Sequence, residues 1–176
     1  LIPPEMMNKL MGKNGIDIWK KANGIDTTPV VPYSERKSVS TETTFEQDTI
    51  DVTRMREILS TMIEKIAFSL RKQVKLTGCV TVKIRYANFD THTLQKVIPY
   101  TSFDHVLTKV ALELFDRLYT RRMLIRLIGV RFSHLVGGVQ QLNLFEDTPE
   151  MVNLYQSLDH IRKRFGQRAV FRAVGL

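Results

Sequence analysis

Val80-Thr81-Val82-Lys83-Ile84-Arg85-Tyr86 alternates large apolar side chains with polar and basic ones. A period of two is the mark of a strand with one face buried and the other in water. Val82, Ile84 and Tyr86 then belong to a core, and Thr81, Lys83 and Arg85 to a solvated face. Downstream, Asn88 to Thr91 turn the chain and Leu94 to Tyr100 return as the second arm of a hairpin. Ser102 is placed to cap the next helix, with Asp104 in its first turn. In that helix Phe103, Val106, Leu107, Val110, Ala111, Leu114, Phe115 and Leu118 keep the i, i+3, i+4, i+7 spacing of one apolar stripe. A last strand, residues 125–135, turns Ile128, Val130 and Phe132 inward.

Upstream, Gly78 is expected to break a helix whose cap is Asp48 or Asp51. Its buried stripe is Met55, Ile58, Leu59, Met62, Ile63, Ile66 and Leu70. Before it, the β-branched and hydroxyl residues of 37–45 read as a strand. The order is β-α-β-β-α-β, a split βαβ sandwich of the α+β class: a four-stranded antiparallel sheet with two helices on one face. Flanking helices lie at both ends. Two helices cover one face only, so the other stays open to a ligand.

The flanks divide the chain further. Residues 1–24 carry Met6, Met7, Leu10 and Met11 at helical spacing, a turn from Gly12 to Gly15, and a second short helix stopped by Gly24. Trp19 is expected to pack into a neighbouring domain. Residues 25–36, with Pro29 and Pro32, read as an extended linker. The compact domain is 37–136, and 137–176 is a tail holding one more helix from Pro149 to Phe165.

A net charge of +8 and a pI near 9.7 favour a polyanionic partner. The charge is placed rather than scattered. Lys83, Arg85 and Arg131 fall on the solvated face; Arg36 and Lys37 enter the first strand beside the hydroxyls of Ser38, Ser40 and Thr41; Arg121, Arg122 and Arg126 precede or open the last strand. Such a surface can hold phosphates without reading sequence. RNA-binding sheets of this order stack bases on central-strand aromatics, and here those positions are Thr81, Lys83 and Arg85. A backbone reader of DNA fits better; an RNA- or protein-binding module on a ferredoxin-like sandwich is the alternative.

Chemistry is sparse. His92, His105, His134 and His160 lie in separate elements, Gly12-Lys13-Asn14-Gly15 lacks the rest of a phosphate loop, and no carboxylate pair suits two magnesium ions. No catalytic or metal-binding residue is assigned. Cys79, the one cysteine, lies in a strand-like run and reads as a small buried thiol in a reducing, cytoplasmic setting. No apolar run reaches the ~18 residues that cross a bilayer, so no membrane partner is expected. The opening Leu1-Ile2-Pro3-Pro4, without an initiator methionine, reads as part of a longer protein.

Beyond Gly137-Gly138 stands Gln141-Leu142-Asn143-Leu144-Phe145. Its apolar residues either staple the helix after Pro149 or anchor a partner's pocket, with Gln141 fixing register.

Taken together, these stretches resemble the C-terminal part of a Y-family translesion DNA polymerase of the bacterial DNA polymerase IV type. Gly15-Ile16-Asp17-Ile18-Trp19-Lys20-Lys21-Ala22-Asn23-Gly24-Ile25-Asp26 is similar to the end of its thumb. Arg36-Lys37-Ser38-Val39-Ser40, with Glu42 and Phe45, resembles the first little-finger strand, and Arg126-Leu127-Ile128-Gly129-Val130-Arg131 the last. Gln141 to Phe145 resembles the sliding-clamp peptide, and Ile161-Arg162 with Arg164-Phe165-Gly166 the helix after it.

The resemblance implies a little finger laid along duplex primer-template DNA. Arg36, Lys37, Ser38, Ser40 and Thr41 would meet one strand, and Arg126, Gly129 and Arg131 the other. Gln141, Leu142, Leu144 and Phe145 would bind the sliding clamp. The family's magnesium would sit in a palm domain to which nothing here corresponds, so this stretch is not expected to catalyse by itself.

Overall fold

In the computed structural model, residues 2–32, 34–138 and 149–170 are described. The chain divides into two units, Leu1–Glu35 and Arg36–Leu176.

The first unit holds α1, Pro4–Ala22. Its helical geometry fails at Gly12, where φ is +60°, a value glycine adopts without a Cβ penalty. The two halves then approach so closely that a Cβ on Gly15 would lie 2.2 Å from the Met7 carbonyl oxygen. The Trp19 indole N–H donates to the Ile2 carbonyl at 2.8 Å.

The second unit runs β1 (Ser38–Thr49), α2 (Val52–Lys72), β2 (Lys75–Tyr86), β3 (Thr91–Thr101), α3 (Asp104–Leu118), β4 (Ile125–Gly137) and α4 (Pro149–Phe165). The strands form one antiparallel sheet in the order β1-β4-β2-β3. β4 lies between β1 and β2, and β2 between β4 and β3, so both βαβ units are split.

Register sorts the side chains. Thr41, Val130, Val82 and Leu94 form one cross-strand row, and Thr43, Ile128, Ile84 and His92 the next. This is the face under α2 and α3. Its core joins Val82, Ile84, Val130 and Phe132 to Met55, Leu59, Ile63 and Leu70 of α2 and Leu107, Leu114 and Phe115 of α3. Each such side chain, fully buried, supplies about 1.5–3 kcal/mol.

One local alternative is resolved and two expectations change. Asp51, not Asp48, caps α2, its carboxylate accepting from the Arg54 N–H at 3.0 Å. Gly78 does not end that helix. α2 stops at Lys72, Val74 turns the chain at φ +53°, and Gly78 sits within β2, where a Cβ would lie 2.7 Å from Cε1 of Tyr100. Ser102 is not the cap of α3: Phe103 holds that position without a side-chain bond, and the Thr101 hydroxyl accepts from the Phe103 N–H.

The last helix is docked rather than trailing. Arg71 of α2 grips Asp159 of α4 through two bonds of 2.7 and 3.0 Å, and Asp104 of α3 through one of 2.6 Å. Arg162 of α4 meets Glu64 at 3.0 Å. Tyr155 stacks on Phe103 at 5.2 Å and bonds His105 Nδ1 at 2.9 Å. Asp104 thus acts as a buried counterion, 2% exposed, as well as an acid at a helix start. Burial alone would lower the Arg71 pKa; its bonds to Asp159 and Asp104 outweigh this and raise it, so the guanidinium stays charged.

Candidate nucleic-acid interface

The face opposite the helices is built by the same registers, one residue out of phase. Its rows are Ser38, Ser133, Cys79, Val97; then Ser40, Arg131, Thr81, Gln95; then Glu42, Gly129, Lys83, Thr93; then Thr44, Leu127, Arg85, Thr91. Ser40, Arg131, Gln95, Glu42, Thr93, Thr44 and Thr91 are exposed. α2 and α3 pack against the other face. β1 is an edge strand, and such a strand leaves every second N–H without a ladder partner.

The basic side chains on and around this face differ in how they are engaged. Arg36, Lys37 and Arg131 are exposed and have no hydrogen-bond or ion-pair partner among the described residues. They stand with the hydroxyls of Ser38 and Ser40: Arg36 and Lys37 just ahead of β1, and Arg131 directly opposite Ser40. Lys83 is occupied, its ammonium 3.0 Å from both carboxylate oxygens of Glu42. Arg85 donates through Nε to the Thr91 hydroxyl at 2.8 Å.

Arg126 and Arg121 stand at the other end of the sheet, near the β2–β3 turn. Arg126 pairs with Asp48 at 3.7 Å and lies 4.8 Å over the Phe89 ring. Arg121 pairs with Asp90 at 3.3 Å.

Two sequence assignments shift with this geometry. Thr41 groups in sequence with Ser38 and Ser40, yet a strand's period of two turns its side chain to the helix-covered face, in the row of Val130 and Val82. Gly129 lies on the open face but is buried: a Cβ there would sit 2.6 Å from Cγ of Glu42 and 3.2 Å from the Thr41 carbonyl oxygen. Its missing side chain makes room for Glu42.

The sequence marks Glu42 only as part of the stretch that resembles the first little-finger strand. Its parity with Ser38 and Ser40 was signal enough to place it on the open face; its pairing with Lys83 requires the register. Gln141, Leu142, Leu144 and Phe145 lie outside the described residues.

Cys79 is buried, as its strand setting implies. Among the described residues no group of three or more His, Cys, Asp or Glu side chains could hold a metal ion. Nor is any described helix long and apolar enough to cross a membrane.

With this surface in place, comparison with known proteins gives it a context. Residues 36–144 match the model of the impB/mucB/samB family C-terminal domain. Among curated relatives, a DNA polymerase IV from Dehalococcoides mccartyi is 36% identical over 171 residues, 96% of this chain and 44% of its own length. A DNA polymerase IV from Clostridium acetobutylicum is 32% identical over 166 residues, 92% of this chain and 42% of its own. Another from Methanoculleus marisnigri is 36% identical over 129 residues, 73% of this chain and 36% of its own. The chain thus spans less than half the length of the relatives it matches.

Proposed function

Since the chain belongs to the impB/mucB/samB family through its C-terminal domain, we propose that it is the part of a Y-family translesion DNA polymerase that grips primer-template DNA and tethers the enzyme to the sliding clamp. The observation that carries this reading is the open sheet face, with exposed Arg36, Lys37 and Arg131 beside Ser38 and Ser40. Guanidinium, ammonium, hydroxyl and edge N–H groups are donors suited to phosphate oxygens. Each phosphate neutralised releases counterions, so the grip is strong in low salt and indifferent to sequence. A polymerase that copies damaged templates needs such a hold outside its active site.

The face also argues against base stacking. Its central positions are Cys79, Thr81, Lys83 and Arg85 on β2, and Ser133, Arg131, Gly129 and Leu127 on β4, none of them aromatic. The reading assigns no step of nucleotide transfer to the residues of this chain. On this reading the magnesium ions of that reaction belong to a palm domain.

Gln141, Leu142, Leu144 and Phe145 supply the tether. A peptide linked to a DNA-bound domain acts at raised local concentration, so a weak contact to a ring on the same duplex suffices. On this reading the setting is cytoplasmic.

The test is a titration of the chain against duplexes of unrelated sequence and against a bacterial sliding clamp. Equal affinities that fall together with salt are expected. Replacing Leu144 and Phe145 by alanine should abolish clamp binding and leave duplex binding intact. Unchanged clamp affinity in that double variant rejects the tether, and sequence-selective duplex binding rejects the backbone grip.

A further inference from the structure

Glu42 is an acid in the middle of a surface otherwise suited to phosphate. We propose that it is a built-in counterion, holding Lys83 in the protein alone and giving it up when duplex phosphate arrives. This inference rests on the duplex reading and assigns a regulating role to one residue of that face.

The geometry is specific. Glu42 and Lys83 are not on neighbouring strands: β4 lies between them, and the residue it places in their row is Gly129. Across two strand spacings, roughly 10 Å, a glutamate and a lysine can meet only if the intervening position has no side chain in the way. Gly129 meets that need, since a Cβ there would run into Cγ of Glu42 at 2.6 Å. The carboxylate lies over β4 and takes the Lys83 ammonium symmetrically, 3.0 Å from each oxygen.

The pair is held in place but remains exchangeable. The Lys83 side chain is 27% exposed and that of Glu42 41%. A pair open to this extent is weak, because water and salt screen it. A phosphate presents the same kind of oxygen to the same ammonium, so the swap costs little.

Two consequences follow for binding. Lys83 is already neutralised, so when a phosphate engages it and sheds its condensed cation, the freed Glu42 carboxylate attracts a cation back. The displaced carboxylate then stays on the face and opposes nearby phosphates. Glu42 should therefore lower both duplex affinity and its salt dependence, leaving Arg36, Lys37 and Arg131 as the standing grip.

The measurement is duplex affinity against salt for the full chain, for Glu42→Gln, for Lys83→Ala and for the double variant, with Arg131→Ala alongside. Glu42→Gln keeps the side chain's shape and removes its charge. It should tighten binding roughly three- to tenfold in low salt and steepen the log–log salt slope by up to about 0.9, since the phosphate that meets Lys83 then sheds its cation with no freed carboxylate to attract one back. In the Lys83→Ala background the same change should steepen the slope by much less.

Equal steepening in both backgrounds overturns the proposal, because Glu42 would then act only as a distant like charge. Unchanged or weaker binding by Glu42→Gln overturns it too. Wild-type chain without salt-dependent duplex binding overturns the duplex reading and this inference together. Binding that falls with Arg131→Ala but ignores Glu42→Gln overturns this inference alone.

Discussion

The two sides of the sheet carry the same kinds of charged residue and use them in opposite ways. On the helix side, Arg71 binds Asp104 and Asp159, with side chains 11%, 2% and 13% exposed. On the open side, Lys83 binds Glu42 with both partners wetter, and Arg36, Lys37 and Arg131 have no described protein partner. A buried pair cannot trade its partner for water without a large desolvation cost, so it fixes where an element sits. An exposed pair can trade, so it suits a ligand. Burial, rather than residue type, separates structural from functional charge here.

The largest effect expected from this contrast is on stability. Arg71→Met would leave buried Asp104 and partly buried Asp159 without their main cation, and losing one partner of a buried pair costs about 3–5 kcal/mol. Urea denaturation should show that loss with little difference between low and high salt, since buried charges are poorly screened. Duplex affinity of the folded fraction should not move, because Arg71 lies on the other side of the sheet. A loss below about 1 kcal/mol would mean that the network is no firmer than a surface pair, and the contrast would collapse.

That contrast was only half legible in the sequence. The period of two from Val80 to Tyr86 set the faces of β2, and the stripes of α2 and α3 follow from their 3.6 spacing. The docking of α4 was not readable. Arg71 and Asp159 are 88 residues apart, and neither disturbs a local pattern. Asp104 looked like an ordinary acid at a helix start because nothing local announces a buried arginine opposite it. The turn at Val74 was hidden for another reason: a β-branched residue at positive φ contradicts its own propensity, so the nearby Gly78 drew the helix end instead. On the open face, Lys83, Arg85 and Arg131 were placed by parity. Hydroxyls taken as a group put Thr41 on the wrong face, and the Glu42–Lys83 bridge needs the order β1-β4-β2, which no single strand encodes.

A smaller effect is expected on the open side, and on binding alone. Arg131→Ala should reduce affinity for every duplex by a similar factor and flatten the salt slope by about 0.9, one phosphate contact. Its side chain is exposed and outside the core, so the urea midpoint should stay within the roughly 0.5 kcal/mol expected of a surface change. Loss of stability comparable to that of Arg71→Met would place Arg131 with the structural charges and remove it from the proposed grip.

The smallest effect tests whether exposure alone makes a charge functional. Lys96 and Glu113 form an exposed pair at 3.0 Å between β3 and α3, on the helix side of the sheet. The hydrogen bond from Lys96, aided by its charge, holds the Glu113 carboxyl below the usual glutamate range. A carboxyl depressed on folding stabilises the protein above its unfolded pKa, and that gain is lost as pH falls through the folded value. Glu113→Gln should therefore lower stability slightly at neutral pH and not at all once wild-type Glu113 is protonated. Added salt should shrink the difference further. Duplex binding should be unchanged or slightly stronger, as for any acid removed far from the face. A rise in salt slope equal to that of Glu42→Gln would show that position on the open face is irrelevant, and that only total charge governs the grip.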